Sequence, residues 1–292
     1  MRGMTSQASA ETAAVLAQIE QYYDTVPRRG ALAEELGPLT LFVRHGQGWP
    51  FYARPALDRP DRIGPADVHR VRERQRELGI PETFEWVDEV NPELRDAATE
   101  AGLAVHEHPL MLLDPQAALP TLDELATGLD GAMGEGLTAR VITPRDPALA
   151  SALAVPRLAF AEPGTKIGEG GLADLAQMVS AKAHDGSVQQ AADRIEVGWT
   201  VIAAAVDGHT ALSAGQHQPI DKVSEIVGVG TLPTARRRGL AAAVTAVLAV
   251  DARSRGVQIV FLSADDADVA RIYGRLGFRQ IATALIAEPA VK

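Results

Sequence analysis

The stretch Thr231-Leu-Pro-Thr-Ala-Arg-Arg-Arg-Gly-Leu-Ala-Ala-Ala-Val244 places three consecutive arginines, Arg236 to Arg238, where a helix begins. The run Leu240 to Val250, built of Ala, Val and Leu with one Thr, reads as a buried helix of good formers. The start of a helix is already positive: unpaired N–H groups and the macrodipole favour Asp, Glu or a bound anion there and disfavour Arg. Local rule and sequence are in conflict, and such conflicts cluster at functional sites.

Composition narrows the classes of function. A chain of 292 residues with 46% hydrophobic content can bury one large core or two ordinary ones, and two domains are expected. No apolar run approaches the roughly 18 to 20 residues of a membrane helix, and the start, Met-Arg-Gly-Met-Thr-Ser-Gln, lacks the apolar core of a signal peptide. The expectation is a soluble, cytoplasmic protein. Cysteine is absent, which excludes disulfides, thiolate metal sites and a cysteine nucleophile. The formal charge of −10 argues against a nucleic-acid binder and is compatible with a cationic or amine-bearing small partner.

Working outward, helices are expected over Glu11 to Tyr23, Asp67 to Leu78, from Asn91-Pro92 to near Gly102, Pro147 to Ala161, Leu172 to His184 and Asp266 to Arg275. Strands are expected at Leu39 to Val43, Trp49 to Tyr52, Phe84 to Val87, Val105 to Leu113, Ala139 to Thr143, Gly198 to Val206, Thr210 to Ala214, Ser224 to Thr231, Gln258 to Ser263 and Phe278 to Ile286. Asp207-Gly208 is a hairpin turn. Pro, Gly and Asp accumulate where periodicity fades, so residues 115–136 are read as a linker between domains 1–114 and 137–292. At an offset of 175, Asn91 falls on Asp266, Gly102 on Gly277 and Leu103 on Phe278. One strand–helix–Gly–strand unit therefore reads as present twice.

Three linked stretches resemble the GNAT N-acetyltransferases. Arg236-Arg-Arg-Gly-Leu-Ala241 fits that family's Arg/Gln-x-x-Gly-x-Gly/Ala loop, and Ile226-Val-Gly-Val-Gly-Thr-Leu-Pro233 is similar to its central strand and proline-containing turn. The stretch from Ala264 to Phe278, with Tyr273 in a helix and Leu-Gly-Phe behind it, resembles its final motif. The resemblance implies an α/β (α+β) chain of two GNAT-like domains, each a mixed, mostly antiparallel sheet flanked by helices.

It also implies roles. The pyrophosphate of coenzyme A would lie on the N–H groups at the helix start, with Arg236, Arg237 and Arg238 adding charge-assisted contacts, Gly239 allowing close approach, and Leu240 and the small Ala241 continuing the site. Main-chain groups of Val229, Gly230 and Thr231 would pair with the peptide-like pantetheine arm as an added strand. Asp266 takes the Asn/Asp place of the final motif on the cofactor side, and as a residue it is also a helix cap. Tyr273 would protonate the departing thiolate, and Glu225 sits where the family's histone-type members carry a general base. Read as residues alone, Arg236 to Arg238 could be a solvated turn or an RNA-binding patch, Tyr273 a core tyrosine, and Glu225 a charge opening a strand. Gly228-Val-Gly230 lacks the third glycine of a Rossmann loop.

No metal is expected, since the histidines include no His-Glu-x-x-His spacing; His217 is an outlying candidate for substrate contact. The first half has Arg59-Pro-Asp-Arg-Ile-Gly-Pro65 where a phosphate loop would lie, with prolines in place of N–H donors, and is read as degenerate. Trp49, Phe51, Tyr52 and Trp86 are its candidates for walling an acceptor pocket. The expected activity is direct acetyl transfer from acetyl-CoA to an amine of a small molecule or peptide, without nucleic acid or membrane and with room for a homodimer. A non-catalytic acyl-CoA sensor is the reading from another class.

Overall fold

The computed structural model describes residues 2–46, 48–58, 62–121, 124, 136–182 and 184–290. Most of the expected linker's second half, and residues 59–61 of the first half's loop, lie outside that range. Two compact units are present. One gathers Met1–Met111, Ser263–Asp266 and Gln280–Lys292; the other gathers Leu112–Leu262 and Ala267–Arg279.

In the first unit, helix α1 (Arg2–Arg28) precedes an antiparallel meander of β1 (Ala31–Leu36), β2 (Leu39–Arg44) and the short β3 (Arg54–Pro55). Helix α2 (Pro65–Glu77), β4 (Phe84–Val87), α3 (Glu93–Glu100) and β5 (Leu103–Leu113) follow. The chain's last strand, β11 (Phe278–Pro289), lies between β4 and β5 and runs antiparallel to β4, with Ala284 opposite Val87 and Ala287 opposite Phe84. Leu285 of β11 thereby joins Leu39, Val68, Val71, Phe84, Trp86 and Leu94 in one buried cluster. Each fully buried side chain of this size contributes about 1.5–3 kcal/mol, which ties the chain's last strand to the first unit.

The second unit contains β6 (Leu137–Ile142), α4 (Leu149–Ala161), α5 (Leu172–Lys182), α6 (Ser187–Glu196), β7 (Val201–Asp207), β8 (Thr210–Ile220), β9 (Val223–Thr231), α7 (Leu240–Ser254), β10 (Ile259–Ser263) and α8 (Ala267–Gly274). Its strands run in the order β10-β9-β8-β7-β6, antiparallel throughout except for the parallel pair β9 and β10. The expected class, mixed and mostly antiparallel sheet flanked by helices, is the one observed. Helix α7 is buried on most sides, through Leu240, Ala243, Val244, Ala246, Val247, Leu248, Ala249 and Ala252, as its unbroken apolar run requires.

The offset of 175 carries β4 onto β10, α3 onto α8 and β5 onto β11, each within a residue or two. Three elements depart from the sequence reading. Trp49 to Tyr52 is not a strand: Pro50 cannot donate to a ladder, and Arg44 holds the segment as a loop by stacking on Phe51, 3.9 Å from its ring centre, and bonding the Trp49 carbonyl. Strand β1, Ala-Leu-Ala-Glu-Glu-Leu, carries a helix-like composition and is held extended by its full register against β2. Helix α6 also went unread, although Val188, Ala191, Ala192 and Ile195 recur at helical spacing within its otherwise polar sequence. Among the described residues no helix is long and apolar enough to cross a membrane, and no group of three or more His, Cys, Asp or Glu residues could hold a metal.

One buried polar group ties β8, β9 and α7 together. His217 is fully buried, its Nδ1 2.8 Å from Ser224 Oγ and its Nε2 3.0 Å from Asp251 Oδ2, and Arg255 bonds the same carboxylate. Burial pushes the Asp251 carboxyl up, but the hydrogen bonds from His217 and Arg255 outweigh it and hold the group below the ordinary aspartate value. A lowered folded-state value means that the clamp stabilises fully above the ordinary aspartate range and is lost as pH falls through the lowered one. Asp251→Asn is therefore expected to cost about 1–3 kcal/mol at pH 7 in urea denaturation, with the gap to wild type closing under acid. A gap that is independent of pH would contradict the assignment.

Candidate active site

The site begins where two parallel strands part. The β9–β10 ladder consists of Ile259 with Val223, Val260 with Ser224, and Phe261 with Glu225. Beyond Glu225, β9 continues to Thr231 while β10 ends at Ser263 without following it. Glu225 thus stands at the fork, half-buried, on the last rung.

On the other side, β9 is bulged. Ala214 pairs with Gly230 and Gln216 with Val227, so Gly228 and Val229 together oppose the single residue Gly215. Gly228 carries the bulge at φ 65°, a left-handed conformation that costs a residue with a Cβ about 1–2 kcal/mol. The bulge turns the main chain of Val229 out of register. Gly230 faces α4 so closely that a Cβ there would lie 2.8 Å from Ala159 Cβ and 2.9 Å from Pro156 Cα. Its carbonyl accepts from Ser213 Oγ at 2.9 Å, and the same hydroxyl is 2.9 Å from Thr231 Oγ1.

The strand then runs through a 3-10 turn, Pro233–Ala235, into the arginine loop. Arg237 has φ 67° and Gly239 φ 72°, so left-handed residues alternate along the loop. That alternation points successive N–H groups toward one side, the pattern of an anion nest. A non-glycine residue held there is strain that the fold retains at a specific place. Gly239 supplies no side-chain cap to α7, and the first turn contains no acidic residue. Arg237, Arg238 and Gly239 are exposed, Leu240 is buried and Ala241 is half-buried. A helix end of this kind, uncapped and flanked by two exposed arginines, is suited to a phosphate.

Arg236 differs from its neighbours. It is 9% exposed, and its guanidinium donates to the carbonyls of Lys166 at 3.1 Å, Ala159 at 3.0 Å and Glu162. Tyr273 lies on α8, 7% exposed, its ring tilted against Phe278 at 6.2 Å between centres. Asp266 is exposed just ahead of α8. His217, offered by the sequence as a substrate contact, belongs instead to the buried clamp described above.

The first unit supplies a contrast. Helix α2 also starts at a glycine, Gly64, but Asp67 closes its end: the Gly64 N–H donates to Asp67 Oδ2 at 3.0 Å and the Asp67 N–H returns to the Gly64 carbonyl at 3.0 Å. The carboxylate occupies the position an anion would take. Of the aromatic candidates, Trp86 is fully buried in the core and Trp49 is 54% exposed.

Sequence reading missed the bulge and the role of the Arg236 side chain. A glycine inside a strand pattern, Gly228, was an available signal for the first. Nothing local marks the second, because its partners lie some seventy residues earlier.

Residues 209–286, from the start of β8 through most of β11, match the model of the FR47-like protein family. No curated protein matches the chain. Among solved structures, a GCN5-related N-acetyltransferase from Kribbella flavida superposes with a TM-score of 0.63 at 22% identity, over 94% of this chain and 96% of that one. A GCN5-related N-acetyltransferase-like protein from Streptococcus suis 89/1591 gives 0.53 at 13% identity, over 95% and 99%. The chain has the fold of these GCN5-related N-acetyltransferase structures.

Proposed function

We propose that the protein is an acetyl-CoA-dependent N-acetyltransferase acting on an amine of a small molecule or peptide. The observation that carries this reading is the continuous path from the open edge of β9, past the bulge at Gly228, into the uncapped start of α7. It suits a ligand with a peptide-like arm at one end and a pyrophosphate at the other. Main-chain groups of Val229, Gly230 and Thr231 receive the arm, and the N–H groups from Gly239 through Leu240 and Ala241 receive the pyrophosphate. Arg237 and Arg238 add charge. Arg236 contributes through the main chain of the same loop, and Asp266 lies on the cofactor side at the head of α8.

Each proton has an assigned carrier. Glu225, at the fork, takes a proton from the incoming ammonium; the free amine attacks the thioester carbonyl, and a β9 N–H stabilises the oxyanion. As the tetrahedral species collapses, the carbon–sulfur bond breaks and the Tyr273 hydroxyl supplies the proton the thiolate needs. The surplus proton on the attacking nitrogen returns through solvent to the tyrosinate, while Glu225 releases its proton to solvent. Transfer is direct, with no acyl-enzyme. In this reading residues 1–114 are a degenerate GNAT-like domain without a coenzyme of its own, residues 115–136 link it to the catalytic residues 137–292, and Asp67 is why its helix end takes no phosphate. The working assembly is soluble, with a homodimer as the state to look for.

Calorimetric titration with acetyl-CoA is expected to give one site per chain. Two sites would show that α2 accepts a phosphate despite Asp67, and none would end the reading. At about a hundred times its Kd, coenzyme A should stabilise the native state by about 2.7 kcal/mol. Arg237→Ala with Arg238→Ala should weaken binding while leaving the ligand-free melting temperature unchanged or higher, because both charges oppose the α7 dipole.

Tyr273→Phe should retain coenzyme binding and lose about 10²–10⁴-fold in thiol release with an amine acceptor. Binding with an unaltered rate would remove the acid role, and binding without any turnover across a broad amine panel would favour the sensor reading. Gly228→Val, which places a β-branched residue at a left-handed position, should lower both stability and affinity for the pantetheine arm; an unaffected affinity would separate the bulge from the ligand.

A further inference from the structure

The segment Glu162 to Gly171 between α4 and α5 contains glycine at 164, 168, 170 and 171, a composition that costs much conformational entropy to fix. It is nevertheless fixed, and by very few groups. The Glu162 carboxylate accepts the N–H groups of Glu169 at 3.0 Å and Gly170 at 2.7 Å, which holds the carboxyl below the ordinary glutamate range. At its far end the Gly171 N–H donates to Asp174 Oδ2 at 2.9 Å and the Gly171 carbonyl accepts the Leu175 N–H at 3.1 Å, both on α5, while further ties end on Pro233 to Arg236. Gly168 N–H donates to the Pro233 carbonyl at 3.2 Å, and Thr234 donates to the Gly170 carbonyl through its N–H at 3.2 Å and its hydroxyl at 3.3 Å. Arg236 grips the carbonyls of Ala159, Glu162 and Lys166.

The fit is close as well as bonded. A Cβ at Gly168 would overlap the Glu162 carboxylate and lie 2.9 Å from Pro233 Cβ, so glycine at 168 is required by contact with the turn and not only by flexibility. The template of this strap is the segment joining β9 to the start of α7.

We infer that Arg236 is a positioning residue, a latch through which the arginine loop sets the conformation of the Glu162–Gly171 strap, so that occupation of the loop by coenzyme A governs the strap. The inference rests on the coenzyme reading of the loop for its second half only. Its first half, that Arg236 holds the strap, concerns the ligand-free protein. The two terminal nitrogens of the guanidinium reach three carbonyls as a planar fork, whereas an ammonium directs its three N–H groups from a single nitrogen on a shorter head and does not match that spread. Lysine at 236 would therefore keep the charge and lose the latch, whereas a simple phosphate contact would survive that change.

Lys166 is exposed in the strap and gives trypsin a defined cut. Full-length protein is digested briefly under native conditions, and cleavage after Lys166 is timed by mass spectrometry with and without coenzyme A. In the ligand-free wild type the bond is expected to be cut slowly; in Arg236→Lys and Arg236→Gln it should be cut about tenfold faster or more, with melting temperature and cleavage at other sites little changed. Coenzyme A should slow the cut further in wild type, and in Arg236→Lys it should bind yet no longer protect.

An unchanged ligand-free rate in both variants would overturn the latch. Protection by coenzyme A that persists in Arg236→Lys would overturn the coupling. A wild type that binds no coenzyme A at all would refute the coenzyme reading and the coupling together, while the ligand-free arm would still decide the latch. A variant that simply unfolds would be cut throughout, so Thr234→Val, which removes one hydroxyl tie at the strap's other end, serves as the milder second case: a strap cut there at the wild-type rate and in Arg236→Gln only as part of general digestion would count against the latch.

Discussion

The separation of β9 from β10 after Glu225 is the constraint on which the rest of the second unit depends. A parallel pair buried on both sides normally continues its ladder, because unpaired main-chain groups in a protein interior cost more than most single contacts return. Here the pairing stops after three rungs, and the bulge at Gly228 disrupts the β8 side just beyond it. Main-chain groups are thus presented at the end of a strand whose other end is locked by the His217–Ser224–Asp251 clamp. A rigid base and an open tip are what a site for an extended, peptide-like ligand requires.

The two helix starts show how the same local physics can serve opposite ends. Both α2 and α7 begin after a glycine, and both have a positive end that must be balanced. At α2 a carboxylate three residues inside the helix supplies the balance and the end is closed. At α7 there is no carboxylate, the loop holds a strained Arg237, and two exposed arginines add to the positive field. That arrangement is unfavourable for the protein alone and becomes favourable with an anion, which answers the conflict visible in Arg236-Arg237-Arg238.

Much of this was legible in the sequence, for identifiable reasons. Helix α7 and strands β7 to β10 are strongly apolar with clear periods, and Gly102 and Gly277 mark matching turns, so the class of the fold and the position of the arginine loop could be read. The aromatic run Trp49 to Tyr52 misled because a proline and an arginine stack overrode its strand propensity. The membership of β11 in the first unit was not legible, since pairing between strands nearly two hundred residues apart leaves no local trace. Arg236 was read with its neighbours as a phosphate ligand from its place in a motif. Its three carbonyl partners belong to a strap whose glycine-rich sequence gives no hint of a fixed pose.

Hydrogen exchange of the full-length protein with and without acetyl-CoA tests the central claim most directly, because it reads main-chain groups one segment at a time. The account predicts new protection in two places, Ile226 to Thr231 on β9 and Gly239 to Ala242 at the head of α7, with the head of α2 around Gly64 to Asp67 unchanged. Protection at α2, or a pattern that spares the β9 edge while acetyl-CoA is demonstrably bound, would contradict it.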